Sequence, residues 1–176
     1  MENNLGCGTG GQTMLLAQHL SGTIIGLDMF PNFIDVLNKN AKSRNPENRV
    51  TGVIGDMEHL PFENHSLDLI WSEGAIDNIG FEKGLSHWHS FLKMGGCLTV
   101  TCPSWLTEER PAVVDVFWSN AGSKLDSTAA NIKIMQKYAE NDTMEAFAAE
   151  NQYEVNLYQK YKQYYGYVFY IGRAIC

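Results

Sequence analysis

Apolar positions along this chain switch repeatedly between two spacings. From Gly11 to Leu20, Met14, Leu15, Ala17 and Leu20 recur three and four apart, the period of a helix with one buried face. Thr23 to Leu27 is a nearly continuous apolar run ending in Asp28, which predicts a strand covered on both sides. Pro31 opens a second helix whose stripe is Phe33, Ile34, Val36, Leu37 and Ala41. Val50–Ile54 and Leu67–Trp71 read as further strands, the first stopping at Gly55-Asp56. A helix from about Phe81 to Lys93 ends at Gly95-Gly96, and Cys97–Cys102 forms a fifth strand. Strands separated by helices predict an α/β fold, a doubly wound and mainly parallel sheet of the Rossmann-like kind.

The second half is less regular. Val114, Phe117 and Trp118 mark one helix, and Tyr153, Leu157, Tyr158, Tyr161 and Tyr164 mark another over Gln152–Tyr165. The aromatic and β-branched run Tyr167–Ile171 then predicts a closing strand. Two places interrupt the scheme. Met1–Leu5, with three polar residues in five, does not read as the buried strand expected before a glycine turn. Asn120–Ala130 shows no strand after its helix. They predict missing residues at one or both points, before 5 and near 119–130. The expected organisation is one domain over 1–176, with a ligand-binding core at about 1–105 and a covering segment at about 103–176.

Composition changes this picture little. The 176 residues are 44% hydrophobic and 19% charged, ordinary for a globular chain. A formal net charge of −7 argues against a nucleic-acid face, which needs clustered Lys and Arg. Cys7, Cys97, Cys102 and Cys176 show no metal-ligand spacing, so no metal site is expected and the thiols read as reduced. No signal peptide opens the chain and no apolar run approaches the roughly 20 residues of a membrane helix. The expectation is a cytoplasmic protein, monomer or homodimer, off the membrane.

The candidate chemistry begins at Leu5-Gly6-Cys7-Gly8-Thr9-Gly10-Gly11. Gly6, Gly8 and Gly11 satisfy GxGxxG, whose glycines permit a tight turn, close approach of a ligand to backbone, and a helix N-terminus aimed at it. Asp28 lies about 20 residues on, at the end of the second strand, where a carboxylate can accept both hydroxyls of a ribose. These features fit a nicotinamide dinucleotide and S-adenosylmethionine alike.

Further along, Gly26-Leu27-Asp28, Gly55-Asp56-Met57 with Leu60-Pro61-Phe62, Leu67-Asp68-Leu69-Ile70-Trp71 and Leu92-Lys93-Met94-Gly95-Gly96 follow in order. With the glycine turn, they resemble the class I S-adenosylmethionine-dependent methyltransferases through about the first 105 residues, especially the small-molecule branch that includes quinone- and sterol-type enzymes. The resemblance implies that family's sheet with an antiparallel C-terminal strand, and S-adenosyl-L-methionine as cofactor. It implies that backbone around Gly6, Cys7, Gly8 and Gly10 contacts the methionine part of the cofactor. Asp28 would hold the ribose, Met29 the adenine face, Asp56 the adenine amino group, and the Met57 N–H a ring nitrogen. Ser72 and Glu73 would line the region between cofactor and acceptor. The chain departs from the pattern at Asn4, where the family usually carries Asp or Glu.

Methyl transfer is a direct displacement that needs alignment and dryness more than acid–base groups. Glu73 is the candidate base or orienting group, with capping of the Gly74-Ala75-Ile76 turn as its structural alternative. Trp71, Trp105 and Trp118, with the Tyr-rich C-terminus, could line an aromatic acceptor pocket or simply pack a lid. His87 and His89, two apart on a helix, point to different faces and read as packing or surface residues. The expected function is methyl transfer to a small, partly hydrophobic acceptor. A nicotinamide-dependent oxidoreductase and a non-catalytic cofactor-binding module are the alternatives.

Overall fold

The computed structural model describes residues 1–44, 48–143, 146–147 and 160–174. Its strands are β1 (Glu2–Leu5), β2 (Ile24–Asp28), β3 (Val50–Ile54), β4 (Leu67–Ser72), β5 (Leu92–Trp105), β6 (Asp126–Ser127), β7 (Ala139–Thr143), β8 (Ala146–Phe147) and β9 (Tyr165–Ala174). The helices are α1 (Gly11–His19), α2 (Pro31–Arg44), α3 (Phe81–His89), α4 (Ala112–Asn120) and α5 (Thr128–Met135), with a 3₁₀ turn at Ile76–Asn78. The sheet runs β3-β2-β1-β4-β5-β9-β7. β1 to β5 are mutually parallel and β9 lies antiparallel on β5, from Cys97 opposite Arg173 to Trp105 opposite Tyr165. The doubly wound sheet with its reversed last strand is therefore as expected.

The strand that the pattern of Met1–Leu5 argues against exists, and it is central. Glu2–Leu5 pairs with Ile24–Leu27 on one side and with Leu69–Trp71 on the other. Two parallel neighbours hold its backbone, so position in the sheet overrides the polar side chains. Asn4 is buried and donates through Nδ2 to Thr13 Oγ1 of α1 at 2.9 Å. Asn3 is buried too, and neither polar atom of its side chain has a hydrogen-bond partner among the described residues. That is a cost to stability accepted at the centre of the sheet.

The segment after α4 also supplies a strand that its pattern hides. Asp126–Ser127 pairs in parallel with Ser104–Trp105, and the Ser127 hydroxyl then caps α5 by accepting the Ala130 N–H at 3.2 Å. Two residues are too few for any periodicity to announce. α3 ends at His89, earlier than Lys93, because Gly95 belongs to β5. Between the pairs Leu67–Leu92 and Leu69–Cys97 the β5 strand bulges, and Gly95 sits there at φ 75°. Leu15 and Val36, read as parts of buried stripes, are exposed. The tyrosine helix over Gln152–Tyr165 lies mostly outside the described residues; residues 160–161 are helical and residues 162–164 turn into β9.

Two apolar layers flank the sheet. On one face Ile34, Leu37 and Ala41 of α2 meet Cys7, Ala17, Ile24 and Val50. On the other, Phe81, Leu85 and Trp88 of α3 cover Leu5, Leu27, Ile70 and Val100. Fully burying such a side chain contributes about 1.5–3 kcal/mol. Trp88 adds a polar tie, its indole donating to the Met57 carbonyl at 2.9 Å. Arg49, entering β3, donates to the carbonyls of Ala17, Leu20 and Gly22, and so neutralises the C-terminal end of α1.

Candidate active site

The strands β1, β2, β3 and β4 all point their C-terminal ends at one cleft of about 430 Å³. Parallel sheets bind ligands there because the strand ends leave a crevice where the connections part to opposite faces. The floor is the glycine turn. Gly6 and Cys7 both donate to the Leu27 carbonyl, at 2.8 and 3.1 Å, which pins the turn to the end of β2. Gly6 stands at φ 66°, and a Cβ there would lie 2.4 Å from the Ala75 Cβ. Gly8 stands at φ 53° with nothing within 4 Å of where its Cβ would be, so its backbone faces open cleft. The first of these glycines is demanded by packing, the second by backbone conformation and by whatever approaches the cleft.

Asp28 closes the base of the cleft. It is buried, and its Oδ2 accepts the Gly8 N–H at 2.8 Å while Oδ1 accepts the Phe30 N–H at 3.0 Å. Each carboxylate oxygen keeps a further lone pair for a ligand donor. The turn-capping and ligand-binding readings of Asp28 are thus compatible. Its charge has a local consequence: burial first, and Asp28 second, push the Cys7 thiol up to about 12, so Cys7 is an inert core thiol.

The rim is apolar on one side and polar on the other. Met29 and Phe30 are exposed, and with Phe33, in edge contact with Phe30 at 5.4 Å between centroids, they wall the cleft opposite Met57. Such a slot fits a flat heteroaromatic ring. Asp56 lines the cleft too. Its Oδ1 accepts the Glu58 N–H at 2.8 Å and its Oδ2 faces His59 Nδ1 at 2.9 Å. Those two contacts, the backbone one the larger, hold its carboxyl below the usual range.

Of the residues expected here, Gly6, Gly8, Asp28, Met29, Asp56 and Met57 line the cleft together. Cys7, Gly10 and Ser72 do not. Gly10 caps α1 at φ 86°, and Ser72 is fully buried with its hydroxyl unpartnered among the described residues. Glu73 lines no described cavity; its Oε1 accepts the Trp71 indole N–H at 2.7 Å. The turn beyond it is held by Thr101, whose hydroxyl accepts the Gly74 N–H at 2.8 Å, and not by Glu73. Trp105 and Trp118, expected at an acceptor pocket, are core residues packed with Val114, Leu125 and Tyr165. Trp71 is half-buried against Phe169, 5.9 Å between centroids. Asn4 bonds into α1 and stays out of the cleft.

Several lining residues lie beyond the reach of the sequence pattern. Phe30 follows Met29 between the end of β2 and the start of α2, and Phe33 reaches the cleft from the first turn of α2. Gly74, Ala75, Asn78 and Ile79 come from the 3₁₀ turn and its flanks, where no period exists to read.

Residues 4–96 match the methyltransferase domain family. The chain belongs to that family. Demethylmenaquinone methyltransferase of Lactobacillus johnsonii is 35% identical over 78 residues, 43% of this chain and 32% of that protein. The matched stretch is therefore about a third of that relative's length. The fold of geranyl diphosphate C-methyltransferase from Streptomyces coelicolor A3(2), solved with Mg²⁺, geranyl diphosphate and S-adenosyl-L-homocysteine, superposes with a TM-score of 0.83 at 15% identity, covering 98% of this chain and 71% of that one. The [4+2]-cyclase SpnF superposes at 0.79 with 18% identity, covering 98% of this chain and 74% of that one. One fold thus carries more than one chemistry, and the fold does not name the reaction. Among the described residues no three His, Cys, Asp or Glu side chains converge as metal ligands, and no helix is long and apolar enough to cross a membrane.

Proposed function

We propose that the protein binds S-adenosyl-L-methionine in the cleft and transfers its methyl group to a small, partly hydrophobic acceptor. The observation that carries this reading is the pairing, in a methyltransferase-family chain, of an open Gly8 backbone with the buried Asp28 carboxylate beneath an apolar slot. Asp28 accepts the ribose hydroxyls. Met29, Phe30 and Met57 enclose the adenine, whose amino group donates to Asp56 while the Met57 N–H meets a ring nitrogen. The first turn of α1 presents its N–H groups to the methionine carboxylate.

When bound, the cofactor supplies an electrophilic methyl on a cationic sulfur. The protein's share is alignment and exclusion of water. Glu73, whose Oε1 accepts the Trp71 indole N–H next to the cleft residue Gly74, remains the proposed group to orient an acceptor or take its proton. The acceptor is a small molecule and not nucleic acid, given the acidic composition, and the protein is cytoplasmic, a monomer or homodimer.

Calorimetry with S-adenosylhomocysteine and with NAD tests the cofactor. Saturable binding of the first alone is the expected result. A preference for NAD would replace this reading by the oxidoreductase one, and binding without transfer to any of a broad set of small acceptors would favour a cofactor-binding module.

A further inference from the structure

A second cavity, of about 400 Å³, opens beside the cleft, and Asn78 and Ile79 belong to both walls. It lies where the 3₁₀ turn and the start of α3 face β5, β6 and α5. Its wall carries the Lys124 ammonium, paired with Asp126, and hydrogen-bond acceptors left over from a network of buried polar groups. Asn131 is 1% exposed, and its Nδ2 donates to Ser104 Oγ and to Tyr170 OH, both at 3.1 Å. Ser104 gives its single proton to the Cys102 carbonyl at 3.0 Å, so the 2.7 Å contact with Tyr170 is donated by the phenol. Every hydroxyl proton is then spent, and only the amide NH₂ of Asn131 can face these oxygens. With the amide so placed, its Oδ1 is buried with no partner among the described residues.

Asp77 repeats the pattern. Its Oδ2 accepts from the Ser123 hydroxyl at 2.7 Å, while Oδ1 is buried and unpartnered among the described residues. The other carboxylates on the cavity wall have their cations: Glu82 pairs with Lys137 at 2.7 Å and Asp126 with Lys124 at 3.4 Å. No ion pair to Asp77 occurs among the described residues. Two buried acceptors, one of them a carboxylate lacking a counter-charge, call for a ligand that donates hydrogen bonds and is positive. Ile79, Phe81 and Ile134 line the rest and suit a short apolar body. The same local charge shows in Cys102, whose thiol is pushed up by burial and then by Asp77 and Asp126.

We propose that this cavity is the acceptor site and that it takes a small organic amine, its N–H groups donated to Asp77 Oδ1 and Asn131 Oδ1. Calling the amine an acceptor rests on the methyltransferase reading above; the pocket's preference for an amine does not. Calorimetry with phenethylamine and its neutral counterpart phenethyl alcohol, at neutral pH and saturating S-adenosylhomocysteine, tests it. The amine should bind at least tenfold more tightly than the alcohol, a comparison that needs no variant. Asp77→Asn should remove most of that preference while leaving S-adenosylhomocysteine affinity and the melting temperature unchanged. Equal binding of amine and alcohol, or an amine affinity indifferent to Asp77→Asn, would overturn the proposal. Amine binding that depends on Asp77 in a protein that fails to bind S-adenosylhomocysteine would instead overturn the methyltransferase reading and leave the amine pocket standing.

Discussion

The two cavities stand side by side at the carboxyl end of the parallel strands, yet they are made by different means. The cleft at the ends of β1 to β4 is mostly backbone. Left-handed glycines, strand-end carboxylates and main-chain N–H groups define it, and its residues come from short motifs within single loops. The cavity beside β5 is made of side chains. Asp77, Cys102, Asn131 and Phe81 come from four separate segments, and Ser104 and Tyr170 fix its polarity from behind. A backbone site tolerates many side-chain changes but few changes of glycine. A side-chain site is indifferent to local conformation and fails when one partner of a network is removed.

The largest expected effect lies in the side-chain half. Trp105 is 1% exposed at the end of β5, in a cluster with Trp118 and Tyr165. Trp105→Ala should lower unfolding free energy by about 3–5 kcal/mol, measured by urea denaturation. The folded variant should bind S-adenosylhomocysteine as the parent does. Lost binding in folded Trp105→Ala would show that the two halves are coupled and end the comparison.

Next comes Gly6→Ala. A methyl there meets the Ala75 Cβ at 2.4 Å in a left-handed backbone. About 1–3 kcal/mol from overpacking and about 1–2 kcal/mol from the conformation should both appear. Here stability and ligand affinity should fall together, read by thermal melting and calorimetry. An alanine tolerated in both measurements would mean that the turn is not rigidly set by its contact with the approach to the 3₁₀ turn.

Asp28→Ala should again lower both, because the carboxylate also accepts the Gly8 and Phe30 N–H groups. Replacing a carboxylate that bonds ribose hydroxyls weakens S-adenosylhomocysteine binding by on the order of 1.5–3 kcal/mol, and calorimetry giving unchanged affinity would refute that assignment. The smallest effect is at exposed Asp56. Its carboxyl is held low by the Glu58 N–H and His59, so its contribution to stability is complete above the unfolded value of about 4 and fades as pH falls through the lower folded value. Between pH 5 and pH 3, melting temperatures of Asp56→Asn should decline less than those of the parent. Parallel declines would mean that the contacts at Asp56 do not survive in solution.

Legibility in the sequence follows the same division. Gly6, Gly8 and Asp28 are readable because a tight turn and a strand end impose residue types over a few consecutive positions, and Asp56 and Met57 are readable through the family resemblance. Phe30 and Phe33 are half-readable, since their apolar character is visible and their place in the cleft is not. Asp77 and Asn131 carry no signal. An aspartate after a strand and an asparagine in a helix are commonplace, and their significance arises from atoms brought together from distant parts of the chain. The tryptophans mislead in the opposite sense: large aromatics serve cores and pockets alike, and only packing distinguishes the two.

Apolar spacing is enough to predict the alternating strands and helices that a parallel sheet requires, because each element's pattern is written in neighbouring residues. It fails at β1, where Glu2–Leu5 is made a strand by two neighbours distant in sequence, and at β6, too short to have a period. Which polar atoms are satisfied is likewise a property of the assembled molecule. Ser104, Tyr170 and Asn131 exhaust one another's donors only after β5, β9 and α5 have docked. The acceptor oxygens left over, from which the character of the second cavity follows, exist only in the folded chain.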